Sequence, residues 1–384
     1  PVTTVVAGLI VVAVSYGGPA ALIFQAADAA GLDRGQLMSW IWAVSIGSGI
    51  TGIYLSVKLK TPVVTAWSTP GAALLVTGWA AYSYPEAIGC FIFSGAVITL
   101  IGITGVFSRV MDRIPGAVVA AMLAGILFRF GTDVFVHMKS MPGLVEPMLL
   151  SYLISKRFFP RYAIVLTLAS GFITAYFLGV LVDVGSVSIT MPMPVFTMPQ
   201  FTVSSLIGLG VPLCLVTMAG QNATGLAVIR AAGYEKTPAN PMITVTGMAS
   251  VFLAPFGAHG INLAAITAAI CTGPDAHPEP GKRYLAGITS GMAYLLVGLF
   301  GTGLVMVFRA LPPELIAVVA GVALFGAILS GLTRAMTDET HRESALITFL
   351  ITASGVSFFG IGAAFWGLAG GLLFCWVMTE RGDA

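Results

Sequence analysis

The sequence predicts an all-α polytopic membrane protein, with about 14 transmembrane segments in two inverted seven-span repeats. Three observations predict it. Of 384 residues 57% are hydrophobic and only 9% charged, against about 25% charged in an ordinary soluble domain. So few charges cannot clothe a water-facing surface, so the partner of most of this surface is the lipid bilayer. The apolar runs are repeatedly long enough to cross it, and the Lys and Arg residues fall mostly on one side.

A helix needs about 20 apolar residues to cross the hydrocarbon core. Reading the runs against charged and Pro-rich breaks gives segments near 3–28, 35–57, 62–82, 85–107, 114–133, 142–156 and 162–183. The second set lies near 203–230, 239–256, 257–273, 283–308, 313–333, 342–359 and 361–379. Segments 3, 6 and 10 are short or broken. The first run, 5–30, is too long and too Gly-interrupted for a signal peptide, so it counts as span 1. Residues 135–141 read as a short surface helix after Arg129. With the N-terminus inside, fourteen of the 18 Lys and Arg lie in cytoplasmic loops, and only Arg34, Arg129, Lys139 and Arg309 lie outside. The positive-inside rule then puts both termini in the cytoplasm.

The Pro-rich stretch Met191-Pro-Met-Pro-Val-Phe-Thr-Met-Pro199 separates two halves, 1–190 and 200–384. Seven spans per half is odd, so the second half enters the membrane inverted. Inverted repeats are a common architecture of carriers, with the site at the repeat interface. A sequence echo supports the division. Thr65-Ala-Trp-Ser-Thr-Pro-Gly-Ala-Ala-Leu-Leu75 can be laid over Gly257-Ala-His-Gly-Ile-Asn-Leu-Ala-Ala-Ile-Thr267, in the third span of each half.

Both stretches break their helices. Residues 60–66 read as extended chain; Ser68-Thr-Pro-Gly71 then supplies a cap and a Pro for a helix start. In the second half 255–260 is irregular, and Asn262 is placed to cap the helix that follows. A helix beginning at mid-membrane leaves its first N–H groups unpaired and partly positive. Two such starts facing one another make an anion site without a lysine. Two Pro/Gly kinks serving only packing are the alternative.

His259 sits at the second break. It can hold a carboxylate as imidazolium or carry a coupled proton, its ordinary pKa being near 6.5; a neutral His bonding loose backbone carbonyls is the other reading. Tyr16, Gln221 and Asn222 lie in the first spans of the two halves, beside Gly17-Gly-Pro19 and Gly220-Gln-Asn-Ala-Thr-Gly225. The amide pair either lines a cavity or glues helices. Trp67 either stacks on a substrate ring or fills a gap. No Asp or Glu sits centrally, which suits an organic anion, since a fixed carboxylate would repel it.

Cys90, Cys214, Cys271 and Cys375 stand apart in apolar runs and read as packing residues. Asp275-Ala-His-Pro-Glu-Pro280 reads as a solvated loop. No metal, cofactor or catalytic constellation is expected, nor a nucleic-acid partner, so the chain is not read as an enzyme.

The stretches Met218-Ala-Gly-Gln-Asn-Ala-Thr-Gly-Leu-Ala-Val-Ile-Arg-Ala-Ala-Gly-Tyr234 and Pro255-Phe-Gly-Ala-His-Gly-Ile-Asn-Leu-Ala-Ala-Ile-Thr-Ala-Ala-Ile-Cys-Thr-Gly273 resemble the benzoate/proton symporter family, the BenE type. The resemblance implies the seven-plus-seven inverted-repeat fold of uracil permeases and anion exchangers, in which spans 3 and 10 each begin with a short strand. It implies a core domain (about 1–107 and 203–308) moving against a gate domain (about 109–185 and 312–380), often in a homodimer of the bacterial inner membrane. It implies proton-coupled import of benzoate or a related aromatic carboxylate. Ser68, Thr69, Gly71, His259, Gly260, Ile261 and Asn262 match the two strand-to-helix junctions. Gln221 stands where nucleobase carriers of this fold tend to place a Glu, which weakens a nucleobase reading. A same-fold carrier of a nucleobase or inorganic anion, or an anion channel, are the alternatives.

Overall fold

The computed structural model describes residues 2–107, 115–181 and 191–379, apart from 266, 275, 302, 304–309, 357 and 359–362. Arg109, Arg113, Arg309, Arg381 and Asp275 lie outside the described residues.

The first half runs α1 (Val2–Gly17), α2 (Ala20–Ala29), α3 (Arg34–Leu59), β1 (Thr65–Trp67), α4 (Thr69–Gly78), α5 (Tyr84–Thr104), α6 (Gly116–Ser140), α7 (Pro142–Phe158) and α8 (Ala163–Leu178). The second runs α9 (Val203–Arg230), α10 (Ala239–Leu253), β2 (Ile261–Leu263), α11 (Ala268–Thr272), α12 (Tyr284–Phe300), α13 (Pro313–Thr337), α14 (Arg342–Ser354) and α15 (Ala363–Thr379). Among the described residues eight helices are long and apolar enough to cross a membrane, and 163–178 and 363–378 are shorter apolar helices.

Local chemistry sets the ends. Asp33 and Ser83 each form a reciprocal capping box, with Gln36 and Glu86, and so start α3 and α5. The α1–α2 break falls at Gly18-Pro19, where Pro19 lacks the N–H a continuous helix needs. The surface helix expected over 135–141 is corrected: α6 runs unbroken to Ser140 and ends at Met141, whose non-helical backbone suits the residue before Pro142. Residues 206–210 and 218–222 of α9 are wound as π turns, a local widening often found at functional sites.

The helices pack by close backbone approach. A Cβ on Gly247 of α10 would lie 2.7 Å from Thr99 N of α5, and one on Gly291 of α12 would lie 2.8 Å from Gly49 O of α3. Small residues permit such contact where lipid supplies no hydrophobic drive. Side chains such as Leu100, Leu153, Phe177 and Trp376 face outward, where hydrocarbon is their solvent.

Candidate functional site: a cavity ending at a broken helix

The two strands meet antiparallel, with Thr65 opposite Leu263, Ala66 opposite Asn262 and Trp67 opposite Ile261. The pair is extended by Ser68 N donating to Gly260 O (3.0 Å) and Ala264 N to Val64 O (2.9 Å). Two strands of three residues leave many polar groups that mid-membrane burial must satisfy, and side chains do so. Ser250 Oγ accepts from Ile261 N at 2.8 Å, and Asn222 Oδ1 accepts from Leu263 N at 3.0 Å. With its amide set to match its surroundings, Asn262 accepts from Ser68 N at 2.9 Å and donates to Leu263 O at 3.1 Å. Asn262 is therefore a strand residue and caps no helix; the expected cap is corrected. The following helix, α11, starts at Ala268 with no side-chain cap from Thr267.

His259 joins the same scaffold. It is 1% exposed. Trp40 Nε1 donates to His259 Nδ1 at 2.9 Å, and an indole N–H only donates. Nδ1 is therefore unprotonated, and Nε2 carries the proton it donates to Ser68 O, also at 2.9 Å. The ring is a neutral imidazole with both nitrogens occupied. The imidazolium expected to hold a carboxylate does not fit here, because a second proton on Nδ1 would meet the Trp40 N–H head-on.

Ser68 organises the first break. Its Oγ accepts from Gly71 N at 3.1 Å, as an N-cap, and pairs with Thr217 Oγ1 at 2.9 Å. A side chain at Gly71 would put Cβ 2.8 Å from both Leu213 Cδ1 and Ser68 Oγ. Gly260 has φ +147°, a conformation only glycine holds without strain.

A cavity of about 660 Å³ opens beside this junction. Its deep end is walled by Ala66, Trp67, Thr69 and Pro70, by Gly220, Gln221 and Thr224 of α9, and by Ala264, Ala265 and Thr267. Leu123 of α6 and Val322 and Ala323 of α13 line the cavity as well. At the other end, where α7 and α13 finish and α6 begins, the wall is Lys156, Arg334 and Gly116. These two exposed cations are the charged side chains among the described lining residues.

Of the eleven residues singled out from sequence, Trp67, Thr69 and Gln221 line the cavity. Ser68, Gly71, Asn222, His259, Gly260, Ile261 and Asn262 stand behind it and hold the junction. Tyr16 is buried, bonded to Ser45 Oγ and packed edge-on to Trp67 at 4.9 Å between ring centres.

A family model described as "Benzoate membrane transport protein" matches residues 1–377. The chain is 44% identical to the "Benzoate membrane transport protein" of Acinetobacter baylyi over 375 residues, covering 98% of this chain and 95% of that one. It is 43% identical to "Inner membrane protein YdcO" of Escherichia coli, covering 99% and 96%. The chain belongs to the benzoate membrane transport protein family. Among solved structures, the transmembrane domain of the cyanobacterial bicarbonate transporter BicA matches with a TM-score of 0.55 at 15% identity, covering 96% of this chain and 97% of that one. The murine anion transporter Slc26a9 in its inward-facing state gives 0.60 at 12% identity, covering 99% and 68%. At such identities the likeness is one of fold.

For a member of the benzoate membrane transport protein family the cavity wall adds residues that sequence reasoning missed. Lys156 and Arg334 were counted only as topology markers. Leu123, Val322 and Ala323 are ordinary apolar residues of long spans, and nothing in their pattern distinguishes them from lipid-facing neighbours. Among the described residues no group of three or more His, Cys, Asp or Glu could hold a metal ion.

Proposed function

We propose that this chain imports benzoate or a related aromatic carboxylate together with a proton, by alternating access. The observation that carries the reading is the cavity: apolar walls for a ring, a capped helix start at the deep end, and at the mouth two cations, with no acid among the described lining residues. An aromatic carboxylate needs both characters at once, burial of the ring and compensation of the charge. The family membership supports the same substrate class.

In this reading the chain is two inverted seven-span repeats, with spans 3 and 10 broken by β1 and β2. The core (about 1–107 and 203–308) carries the junction, and the gate (about 109–185 and 312–380) supplies Leu123, Val322, Lys156 and Arg334. With both termini cytoplasmic, the cationic mouth faces the cytoplasm and the conformation is open inward. Motion of core against gate would close that mouth and open the other side. Ser68, Gly71, Asn222, His259, Gly260, Ile261 and Asn262 act as positioning residues, while Trp67, Thr69 and Gln221 face the substrate. His259, neutral and saturated, shapes the site and does not carry the proton. A homodimer is part of the same proposal.

Labelled benzoate uptake into proteoliposomes tests it. An inward proton gradient is expected to drive accumulation, and a protonophore to collapse it. Absence of uptake would remove the substrate assignment; uptake indifferent to the gradient would remove proton coupling alone.

A further inference from the structure

The outer face of the α3–α12 pair carries a groove that transport leaves without a use. Its volume is about 430 Å³, and it is lined by Ile50, Ile53, Tyr54, Val57 and Lys58 of α3 and by Leu295 of α12. On α3 these positions follow i, i+3, i+4, i+7 and i+8, one face of a helix. They cover about 12 Å of helix axis, at 1.5 Å per residue. Glycines open the groove. A Cβ on Gly49 would lie 2.7 Å from Leu295 Cδ2, and one on Gly291 would lie 2.6 Å from Ile53 Cγ1. The helices are thus in close contact, with no side chain at either glycine to fill the surface. Ile53 and Leu295 are half-buried, while Ile50, Tyr54 and Val57 stand exposed.

One end of the groove is cationic. Lys58 Nζ donates to Tyr54 Oη at 2.9 Å and lies 5.2 Å from the centre of that ring. The ammonium is therefore folded back over the groove with its stem on apolar surface, and it has two further N–H donors to give. At the same end of the helix pair, Lys60 places its ammonium 4.6 Å from the centre of the Tyr284 ring, where α12 starts. Tyrosines beside lysines at the end of a hydrocarbon face are the pattern of a membrane–water interface. An apolar cleft that ends in ammonium groups matches the two characters of one amphiphile, a hydrocarbon tail and an anionic head. A lipid with a neutral headgroup gains little from these charges.

We infer that an anionic phospholipid occupies this groove, with one acyl chain laid along residues 50–57 against Leu295 and its phosphate at Lys58. Lys60 adds to the positive charge at that end. The groove shares none of its described lining residues with the transport cavity, so the inference stands whether or not benzoate is the substrate.

The test uses the full chain in phosphatidylcholine nanodiscs doped with phosphatidylglycerol that carries a diazirine in one acyl chain. After irradiation the adducts are mapped by mass spectrometry, and they are expected to concentrate on residues 50–57 and on Leu295. A choline-headed probe with the same chain is expected to label them about fivefold less, the factor one basic residue contributes at an anionic surface. Lys58→Gln, an exposed change, is expected to lower labelling by the phosphatidylglycerol probe about fivefold. Lys236→Gln removes an equal charge from another exposed position and is expected to leave it unchanged. Groove labelling that is equal for the two headgroups, that survives Lys58→Gln within about twofold, or that falls alike in both variants overturns the inference. So does a groove without adducts, as when a second copy of the chain covers it.

Discussion

The two helix breaks look alike in sequence and do different work. The first, 61–78, presents its strand end and helix start to the cavity, through Ala66, Trp67, Thr69 and Pro70. Its helix has ten residues, a Ser68 cap and Pro70 in its first turn. The second, 254–272, keeps Ile261, Asn262 and Leu263 fully buried and reaches the cavity only from Ala264 onward. Its helix has five residues and no side-chain cap. The first break borders the cavity with its strand end and helix start, while the strand of the second is wholly buried behind it. A shared pattern of small residues before an Ala-Ala run encodes the fold of both and the chemistry of neither.

The largest effect expected of a single change tests the wall. His259→Leu leaves the Trp40 N–H buried without a partner and takes from the Ser68 carbonyl one of its two donors, Ala72 N remaining. With roughly 1–3 kcal/mol for the unmatched donor and about 1 kcal/mol for the lost bond, the loss is about 2–4 kcal/mol, read as a large fall in Tm and in folded yield. His259→Gln, which can donate and accept, is expected to recover part of it. Any uptake it retains should still follow the proton gradient. Uncoupled uptake in a stable Gln variant would return the proton to His259.

The difference between the breaks sharpens with their caps. Ser68→Ala removes the acceptor for Gly71 N and strands Thr217 Oγ1, costing about 1–2 kcal/mol. Thr267→Ala removes no capping bond and is expected to stay within about 0.5 kcal/mol. Equal losses of Tm from the two would erase the asymmetry. The Ser68 variant should also weaken benzoate binding, because the helix start it organises is the end of the cavity.

At the mouth, Lys156→Gln with Arg334→Gln removes both lining charges while leaving the deep end intact. Exposed charges steer a ligand and are screened by salt. The KM for benzoate supplied on the side where this mouth opens is expected to rise about two- to fivefold at low ionic strength, converging with wild type at high salt. A rise that persists at high salt would make these residues part of the deep site.

Much of this was legible beforehand. Composition and apolar run length carry the membrane fold, since nothing else accommodates 9% charged residues. Ser68 as a cap with Pro70 behind it is a local pattern, and it stands as read. Asn262 misled because cap residues are also good strand glue where backbone groups need partners: the same amide serves either use, and only β1 alongside decides. His259 was readable as an ionisable residue at a break, but its partner Trp40 lies 219 positions away, and that indole fixes the protonation. Lys156 and Arg334 join one cavity from helices that no local pattern links.

The smallest effect lies far from both breaks, in the turn after α13. Asp338 faces the His341 ring, Oδ2 to Nδ1 at 2.9 Å, and accepts from the backbone N–H of Thr340 and His341 at 3.1 and 3.2 Å. The His341 side chain first, and these N–H groups with it, hold the Asp338 carboxyl below its ordinary range. A carboxylate so shifted stabilises the fold at pH above its unfolded pKa, near 3.9, and loses that contribution as pH falls through the folded value. The site is open to water, so the effect is screened and small. Asp338→Asn is therefore expected to lower Tm slightly at neutral pH, and the two curves should meet in acid. A gap that widened toward low pH would reverse the sign and show that the charge is a burden on the turn.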